Sequence, residues 1–299
     1  MAPSQLTTAL APAIEAEIGA LENGAAGTLR YYHDRGAGGR PLLLLHSINA
    51  APSAMEMKPL FEHYRHSRTV YAPDLPGFGL SNRKNLHHTP ELYAESINRF
   101  IDEVCGREAD IIALSLSAEF AARAIGTTAD RCRSLTIISP TGLGDREPPA
   151  RTTSERIRKF VATPYFGAGL YRLLTTRRSI RYFLGKAFEG DAPVEMVDYA
   201  FATSHQPDAR HAPFAFLSTG LFSHNVRTSL YEPLNVPGLV LYDRDPNVRF
   251  TQLPTLLEAN PGWRAMRVSP SLGLPHWEKP EETFAALDRF WLELETRAT

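Results

Sequence analysis

Short apolar runs alternate with helix-length amphipathic segments over most of the chain. The runs are apolar without interruption, which is typical of strands that are buried on both faces of a sheet. The pattern predicts strands at 27–34, 41–46, 68–72, 110–114, 134–139, 238–242 and 264–268. It predicts helices at 51–64, 90–105, 118–125, 250–258 and 281–296. This alternation indicates an α/β protein with a mostly parallel, doubly wound sheet between layers of helices.

Two segments depart from that rhythm. Residues 5–22 have helical periodicity and end at Asn23-Gly24, so 1–26 is predicted to be a lead-in helix outside the core. Residues 145–232 have a helical pattern without a convincing strand, and they lie between two strands of one sheet. We therefore expect a helical cap over the carboxyl ends of the strands, where parallel sheets bind ligands, and a core formed by 27–144 and 233–299.

Composition and charge narrow the class of protein. The 299 residues are 43% hydrophobic, with 32 basic and 33 acidic side chains and a net charge of −1. This balance argues against nucleic acid as a partner and favours a small-molecule substrate, with the oligomeric state left open. The longest apolar runs, Pro41–Leu45 and Pro237–Tyr242, are much shorter than the roughly 18 residues of a membrane span. Only two cysteines and no basic residue before Arg30 favour a cytoplasmic protein over a secreted one.

The stretch 111–120, IIALSLSAEF, carries the clearest chemical signal. A short apolar strand continues directly into a helix through Ser115. A serine raised above a sheet on so sharp a turn needs small residues two positions before and after it, and Ala113 and Ser117 are small. The alternative is an ordinary serine at the N-terminus of a helix.

Other parts of the chain favour the first interpretation. The stretch 46–49, HSIN, follows a strand where a second oxyanion donor is required. Carboxylates follow a later strand in 242–246, YDRDP, and a histidine lies between the last strand and the last helix in 274–280, LPHWEKP. The order of nucleophile, acid and histidine is that of an α/β-hydrolase sheet.

Over about residues 27–296 the sequence resembles the α/β-hydrolase fold superfamily, in the manner of a capped serine esterase. The matching stretches are HSINAAPSAMEMKPL (46–60), DLPGFGLS (74–81), ALSLS (113–117), YDRDPNV (242–248) and PHWEKPEETFAALDRFW (275–291). The resemblance implies a triad of Ser115 as nucleophile, His276 as base and Asp245 as its partner. It implies an oxyanion hole formed by the backbone N–H groups of Leu116 and Ile48, and it implies neither a cofactor nor a metal.

Four residues stand where the family usually has glycine: Ser47, Ala113, Ser117 and Asp243. Asp243 leaves the choice of the acid open, and Asp245 is preferred because it keeps the family's three-residue offset if Tyr242 takes the place of the glycine. Ser47 adds a hydroxyl beside the predicted oxyanion hole and is, with Phe214 and Phe222, a candidate substrate contact. We expect His46 to be structural and Glu119 to be a surface or packing residue rather than an acid catalyst.

The predicted cap carries basic and aromatic residues, and these admit two interpretations. The arginines are either solvated on an amphipathic cap, or one of Arg177, Arg178 and Arg181 points into the pocket and binds a carboxylate. The leading functional hypothesis is a serine hydrolase of carboxylic esters with a medium-sized, largely apolar substrate. The alternatives are a C–C bond hydrolase of a dienoate-type acid and a non-catalytic ligand receptor on the same fold.

Overall fold

A computed structural model describes residues 9–127, 129–161 and 163–298. Within these described residues, eight strands form one sheet in the order β1-β2-β4-β3-β5-β6-β7-β8. The first two pairings, β1 with β2 and β2 with β4, are antiparallel, and the others are parallel. The strands are β1 (Glu17–Glu22), β2 (Thr28–Asp34), β3 (Leu42–Leu45), β4 (Val70–Pro73), β5 (Ala109–Leu114), β6 (Cys132–Ile138), β7 (Gly238–Tyr242) and β8 (Trp263–Arg267).

The helices lie in two groups. Six belong to the sheet layers: α1 (Lys58–Tyr64), α2 (Pro90–Phe100), α3 (Ser117–Ile125), α9 (Leu253–Ala259), α10 (Pro275–Glu278) and α11 (Pro280–Ala298). Five lie between β6 and β7: α4 (Arg151–Val161), α5 (Pro164–Leu174), α6 (Arg177–Gly185), α7 (Val194–Ser204) and α8 (His211–Leu217). The second group is the predicted helical insertion. Within the described part of the chain no helix is both long and apolar enough to cross a membrane.

Buried side chains occupy both faces of the sheet, as the unbroken apolar strands predicted. Leu43 and Leu45 of β3 belong to one buried cluster with α2 and α3, whereas Leu42 and Leu44 belong to a second cluster with α1 and α11. All four leucines are fully buried. Alternate side chains of a strand point to opposite faces, so a strand covered on both faces has no polar period.

The prediction of a lead-in helix is wrong for the part of 1–26 that the structure describes. Glu17–Glu22 is an edge strand that pairs with β2 in register from Glu17 opposite His33 to Glu22 opposite Thr28. Just before it, Ile14 is buried and the Ala13 N–H donates to the Tyr32 hydroxyl at 2.8 Å. Pairing with a neighbouring strand outweighs helix propensity here, because propensity is only a weak prior. Residues 1–8 of that prediction lie outside the described residues.

Candidate active site

Ser115 occupies a sharp bend between β5 and α3. Its φ of 54° lies in the left-handed region, where a side chain costs about 1–2 kcal/mol. The bend is held because the Ser115 N–H donates to the Ile138 carbonyl at 2.9 Å and its own carbonyl accepts the Ala118 N–H at 3.1 Å. Among the described residues its hydroxyl makes no hydrogen bond, and the side chain is only half-buried. This is the strained, outward-facing serine that the sequence predicted.

The flanking small residues lie in the tightest part of this bend. Ala113 and Ser117 are completely buried. The Ser117 hydroxyl donates to the carbonyl of His46, which joins the start of α3 to the loop after β3. Ser117, which stands where the family usually has glycine, therefore links two loops, and its hydroxyl is already hydrogen-bonded.

The two predicted oxyanion donors are buried at the same edge of the sheet. Ile48 and Leu116 follow the adjacent parallel strands β3 and β5, which pair at Leu45 and Ala113. Within the described part of the chain neither residue's backbone N–H has a hydrogen-bond acceptor. Unpaired buried N–H groups are rare, and a site that awaits a developing oxyanion is one reason to keep them.

Ser47, a predicted substrate contact, belongs to a buried network around Glu56. Its N–H and hydroxyl donate to the Glu56 carboxylate at 2.8 and 3.0 Å, and the Asn49 amide also donates to that carboxylate at 3.0 Å. Burial raises the pKa of Glu56, and these donors oppose that shift. The Ser47 hydroxyl is thus engaged in shaping the loop after β3 rather than free to meet a ligand.

His46 is structural, as expected. Its Nδ1–H donates to the Ser47 carbonyl at 2.7 Å, and its Nε2 accepts the Leu75 N–H at 2.9 Å. The ring is fully buried, and burial lowers its pKa to about 4. Both nitrogens are therefore occupied by a neutral ring that connects the loops after β3 and β4.

The two candidate acids differ in what they bind. Asp243 is buried, with Arg267 2.6 Å from one oxygen and the Ser271 N–H 2.9 Å from the other. Burial by itself would raise the pKa of Asp243, but the Ser271 N–H and Arg267 lower it below its ordinary value. Asp243 is thus committed to an ion pair, which favours Asp245 as the acid that is available to a base.

Asp245 uses only one of its two carboxylate oxygens. Oδ1 accepts the N–H groups of Asn247 and Val248 at 2.7 and 3.0 Å. No donor among the described residues bonds Oδ2, and a Cβ added to Gly273 would lie 3.1 Å from it. Burial raises the pKa of Asp245, against those two N–H groups. Gly273 was not predictable as a neighbour of Asp245, since a glycine carries no chemical signal of its own in the sequence.

His276, the predicted base, lies in the short helix α10 and is fully buried. Its Nε2–H donates to the Glu56 carbonyl at 2.7 Å, and the Trp277 indole N–H donates to the same oxygen at 2.7 Å. Nδ1 has no partner among the described residues, and burial lowers the ring's pKa to about 4. No hydrogen bond in the described part of the chain joins His276 to Ser115 or to Asp245. The structure thus brings the three predicted triad members to one edge of the sheet without connecting them.

The aromatic residues predicted to line the pocket lie in the insertion. Phe222 lines a cavity of about 410 Å³ between α4, the residues around His88 and the segment after α8, but Ser115 is not among its lining residues. Phe214 is buried against Tyr171, with ring centroids 6.0 Å apart. Phe214 therefore stabilises the insertion internally rather than facing a ligand.

The arginines of α6 agree with the solvated interpretation. Arg177, Arg178 and Arg181 are exposed, and Arg177 pairs with Asp198 of α7 and covers the ring of Phe201 at 4.3 Å. A partly buried cation in this region is instead Arg83, whose guanidinium donates to Thr203 of α7 at 2.9 Å. Among the residues that the structure describes, no three His, Cys, Asp or Glu side chains gather in a way that could hold a metal ion.

The sheet order, the strained serine after β5 and the helical insertion after β6 together define an α/β-hydrolase fold. A sequence profile described as "Alpha/beta hydrolase family" matches residues 42–287, and the chain belongs to that family.

Solved structures and one curated relative are similar to the chain. A serine hydrolase involved in carbazole degradation (CarC enzyme) superposes with a TM-score of 0.74 and 15% identity, over 92% of this chain and 98% of that protein. A thermophilic esterase from Thermogutta terrifontis gives a TM-score of 0.70 and 17% identity, over 93% and 99%. Over 38% of the chain, the sequence is 29% identical to the dihydrolipoyllysine-residue acetyltransferase component of the acetoin cleaving system of Cupriavidus necator. The matched stretch spans 30% of that relative's length.

Glu119 of α3 is buried rather than on the surface, and it connects this helix to the insertion. Its carboxylate accepts the Ser223 N–H at 2.8 Å and the Thr141 hydroxyl. Burial raises its pKa to about 7, despite these donors. In the unfolded chain the pKa of Glu119 lies near the ordinary value of a glutamate, 4.5, so between pH 4.5 and pH 7 the folded state binds more protons. This group therefore makes the protein less stable as pH rises from about 4.5 to about 7.

We expect Glu119→Gln to remove that pH dependence. Its amide can still accept from Ser223 and can donate to Thr141, while the cost of a buried charge, up to about 3 kcal/mol above pH 7, disappears. Urea unfolding of wild type and variant between about pH 5 and pH 8 measures the difference. The exposed Glu155→Gln serves as the control for the loss of one carboxylate. A constant difference between wild type and Glu119→Gln over this range would contradict the assignment.

Proposed function

We propose that this protein is a serine hydrolase of carboxylic esters, with Ser115 as the nucleophile. The observation that carries the proposal is the positive φ of Ser115, which turns out of the sheet a hydroxyl that has no hydrogen-bond partner among the described residues. Strained backbone of this kind persists only where the surrounding structure enforces it, and it is concentrated at functional sites.

In the proposed reaction Ser115 Oγ attacks the ester carbonyl and loses its proton to a base. The N–H groups of Leu116 and Ile48 stabilise the negative charge on the carbonyl oxygen, each by about 3 kcal/mol if it acts as single donors do in other hydrolases. The alcohol departs, and water then hydrolyses the acyl-serine. Asp245 is the carboxylate proposed to orient the base, since Asp243 is occupied by Arg267.

His276 is the residue proposed as the base. Its Nε2–H donates to the Glu56 carbonyl, so the lone pair is on Nδ1, which has no partner among the described residues. Because burial lowers the ring's pKa to about 4, the ring is neutral, and its protonation does not oppose that role. His276 as the base stays a prediction, since no hydrogen bond among the described residues joins it to Ser115 or to Asp245.

The substrate proposed is a medium-sized, largely apolar ester. Support comes from the structural neighbours, which include an esterase and a serine hydrolase involved in carbazole degradation. A dienoate-type acid, cleaved at a C–C bond, would need a cation for its carboxylate. The pairing of Arg177 with Asp198 and the exposure of Arg178 and Arg181 do not favour that reaction.

A second candidate function is ligand binding without turnover. One observation favours it specifically: the Nε2 atom of His276 is bonded to the Glu56 carbonyl, and among the described residues no imidazole is bonded to Asp245. A receptor would use the same fold and pocket without needing a base.

Labelling with a fluorophosphonate probe distinguishes the two functions. We expect prolonged incubation to modify the wild type at Ser115, identified by peptide mass, and Ser115→Ala to remain unlabelled. Ser139→Ala is a matched control, because Ser139 also follows a strand, has a positive φ of 43° and is buried. Its labelling should equal that of the wild type. If Ser115 stays unmodified even after prolonged incubation with the probe, the result would favour the receptor.

A further inference from the structure

Most of the exposed large apolar side chains lie in the helical insertion. Among the described residues eight such side chains are exposed, and six of them belong to the insertion: Phe160, Phe166, Leu173, Tyr182, Phe183 and Val194. The two others, Ile18 and Leu292, lie on β1 and α11. A single exposed apolar residue needs no explanation, but a concentration of them indicates a surface that meets an apolar partner.

The exposed rings form two clusters. Phe160 at the end of α4 and Phe166 of α5 have ring centroids 4.5 Å apart, yet they remain 59% and 47% exposed. Leu173 follows Phe166 by two turns on the same exposed face of α5. Tyr182 and Phe183 of α6 form the second cluster, with ring centroids 5.3 Å apart. Contact within each cluster therefore does not remove these side chains from water.

The same helices concentrate positive charge. Residues 151–186 contain nine Lys or Arg side chains and one acid, Glu155, which gives this stretch a net charge of +8. The rest of the chain carries −9, because the net charge of the whole is −1. Arg177 is paired with Asp198 of α7, and the other basic residues of the stretch still outnumber its acid eight to one. The insertion is thus the basic part of an otherwise acidic protein.

Basic side chains stand beside the exposed rings. Arg156 precedes Phe160 by one turn of α4, so the two share a face of that helix, and both are exposed. On α6 the Lys186 Nζ lies 4.4 Å from the centroid of the Tyr182 ring. The opposite faces of these helices are buried in the protein, for example at Val161 and Ile180. Each helix therefore turns one side inward and an aromatic, basic side to solvent.

Charge and apolar surface together select the partner. Helices with basic and aromatic residues on their outer side bind bilayers of anionic lipid, because the rings enter the headgroup boundary while the cations attract phosphate. A second copy of the chain would bring two strongly basic surfaces together, and like charges across an interface are unfavourable. The exposed rings also need an apolar layer beneath the negative charge, and a bilayer supplies both.

We propose that the exposed faces of α4, α5 and α6 bind the surface of a membrane that contains anionic phospholipids. The rings of both clusters lie at the boundary between headgroups and acyl chains, and Arg156 and Lys186 lie at the lipid phosphates. The buried faces of the helices stay packed against the rest of the insertion. This inference does not depend on the reaction proposed for Ser115.

Sedimentation with lipid vesicles tests the inference. We expect the wild type to sediment with phosphatidylcholine vesicles that contain about 30% phosphatidylglycerol, and to stay in solution with pure phosphatidylcholine. Salt at about 0.5 M should release most of the bound protein, since it screens the charges. Equal binding to both kinds of vesicle, or binding to neither, would overturn the inference.

Matched variants connect binding to the rings. Phe160→Ser combined with Phe183→Ser removes one ring from each cluster and should raise the apparent Kd for the anionic vesicles about tenfold. Leu292→Ser is the control, because Leu292 is 63% exposed on α11, outside the insertion, and its loss should leave the Kd unchanged. The same Kd in the double variant and in the control would contradict the proposed surface.

A second pair of variants connects binding to the charge. Arg178→Glu should raise the apparent Kd about tenfold or more, because each basic residue near an anionic bilayer contributes about fivefold to binding. Arg289→Glu changes the net charge of the protein equally, but Arg289 is an exposed residue of α11 and its replacement should have little effect. Equal weakening by both variants would mean that net charge, and not this surface, governs binding.

Sedimentation velocity without vesicles distinguishes a bilayer from a second copy of the chain. We expect a monomer. A dimer of the wild type that dissociates when Phe160 and Phe183 are replaced by serine would overturn the inference, because the rings would then cover one another. Ser115→Ala should bind vesicles like the wild type, so failure of the proposed hydrolase function and failure of membrane binding are separate results.

Discussion

Asp110→Ala is expected to lower the free energy of unfolding by about 3–5 kcal/mol, because it leaves a buried cation without its partner. Asp110 lies at the amino end of β5 and is only 1% exposed. Its carboxylate binds the guanidinium of Arg68 and accepts the Ser134 hydroxyl, and Arg133 lies 3.9 Å away. Arg68 in turn covers the ring of Trp291, with 4.5 Å to the centroid, and its side chain is 15% exposed.

Urea unfolding measures this loss, and Glu103→Ala is the comparison. Glu103 forms an ion pair with Arg99 at 2.6 Å, but both side chains are nearly half exposed. Removing it should cost less than about 1 kcal/mol. Asp110 lies at the opposite end of β5 from Ser115, so the variant that remains folded should keep the labelling rate of the wild type. Equal losses in the two variants would mean that burial does not determine the energy of these pairs.

Gly79→Ala is the second variant with a large expected effect: it should lower the free energy of unfolding by about 3 kcal/mol or more. Gly79 has a φ of +50°, and an added Cβ would lie 1.9 Å from the Asp74 Cγ. Asp74 is fully buried and cannot yield, because its two oxygens accept the N–H groups of Ala54 and Leu80 at 2.8 Å each. The variant must break one of these bonds or shift the turn after β4.

Gly38→Ala measures the cost of backbone strain alone, without the steric clash that Gly79→Ala adds. Gly38 has a φ of +66°, with nothing within 4 Å of an added Cβ. The free energy of unfolding should therefore fall only by the cost of placing an alanine in the left-handed region, about 1 kcal/mol. The difference between the two midpoints of urea unfolding reports the contact with Asp74. Similar midpoints would show that the turn around Gly79 relaxes without cost.

Prediction from sequence succeeded where local pattern and tertiary environment agree. Leu42–Leu45 and Gly238–Tyr242 are apolar throughout, and a parallel strand covered on both faces requires this. It failed at Glu17–Glu22, whose alanine, leucine and glutamate favour a helix. There the antiparallel pairing with Thr28–Asp34 decides the structure, and a partner strand is not visible in a local window.

The candidate active site shows the same contrast between what the local sequence pattern predicts and what distant residues decide. Ser115 was recognisable because the bend that exposes it needs a strand, a helix and small flanking residues in consecutive positions, all of which can be read from the sequence. Asp245 was preferred over Asp243 from sequence only by its offset, because the partners that set Asp243 apart are Arg267 and Ser271, which belong to β8 and the loop that follows it.

By itself, the order of strands, helices and polar residues determined that this chain forms an α/β sheet and places Ser115, Asp245 and His276 at its carboxyl edge. Only the tertiary structure decided which way each side chain faces. His276 donates to the carbonyl of Glu56, which is 220 positions away in the chain, while Gly273 lies beside Asp245 Oδ2. Side-chain direction in a loop depends on packing against distant segments, whereas the position of a loop at the end of a strand depends on chain order alone.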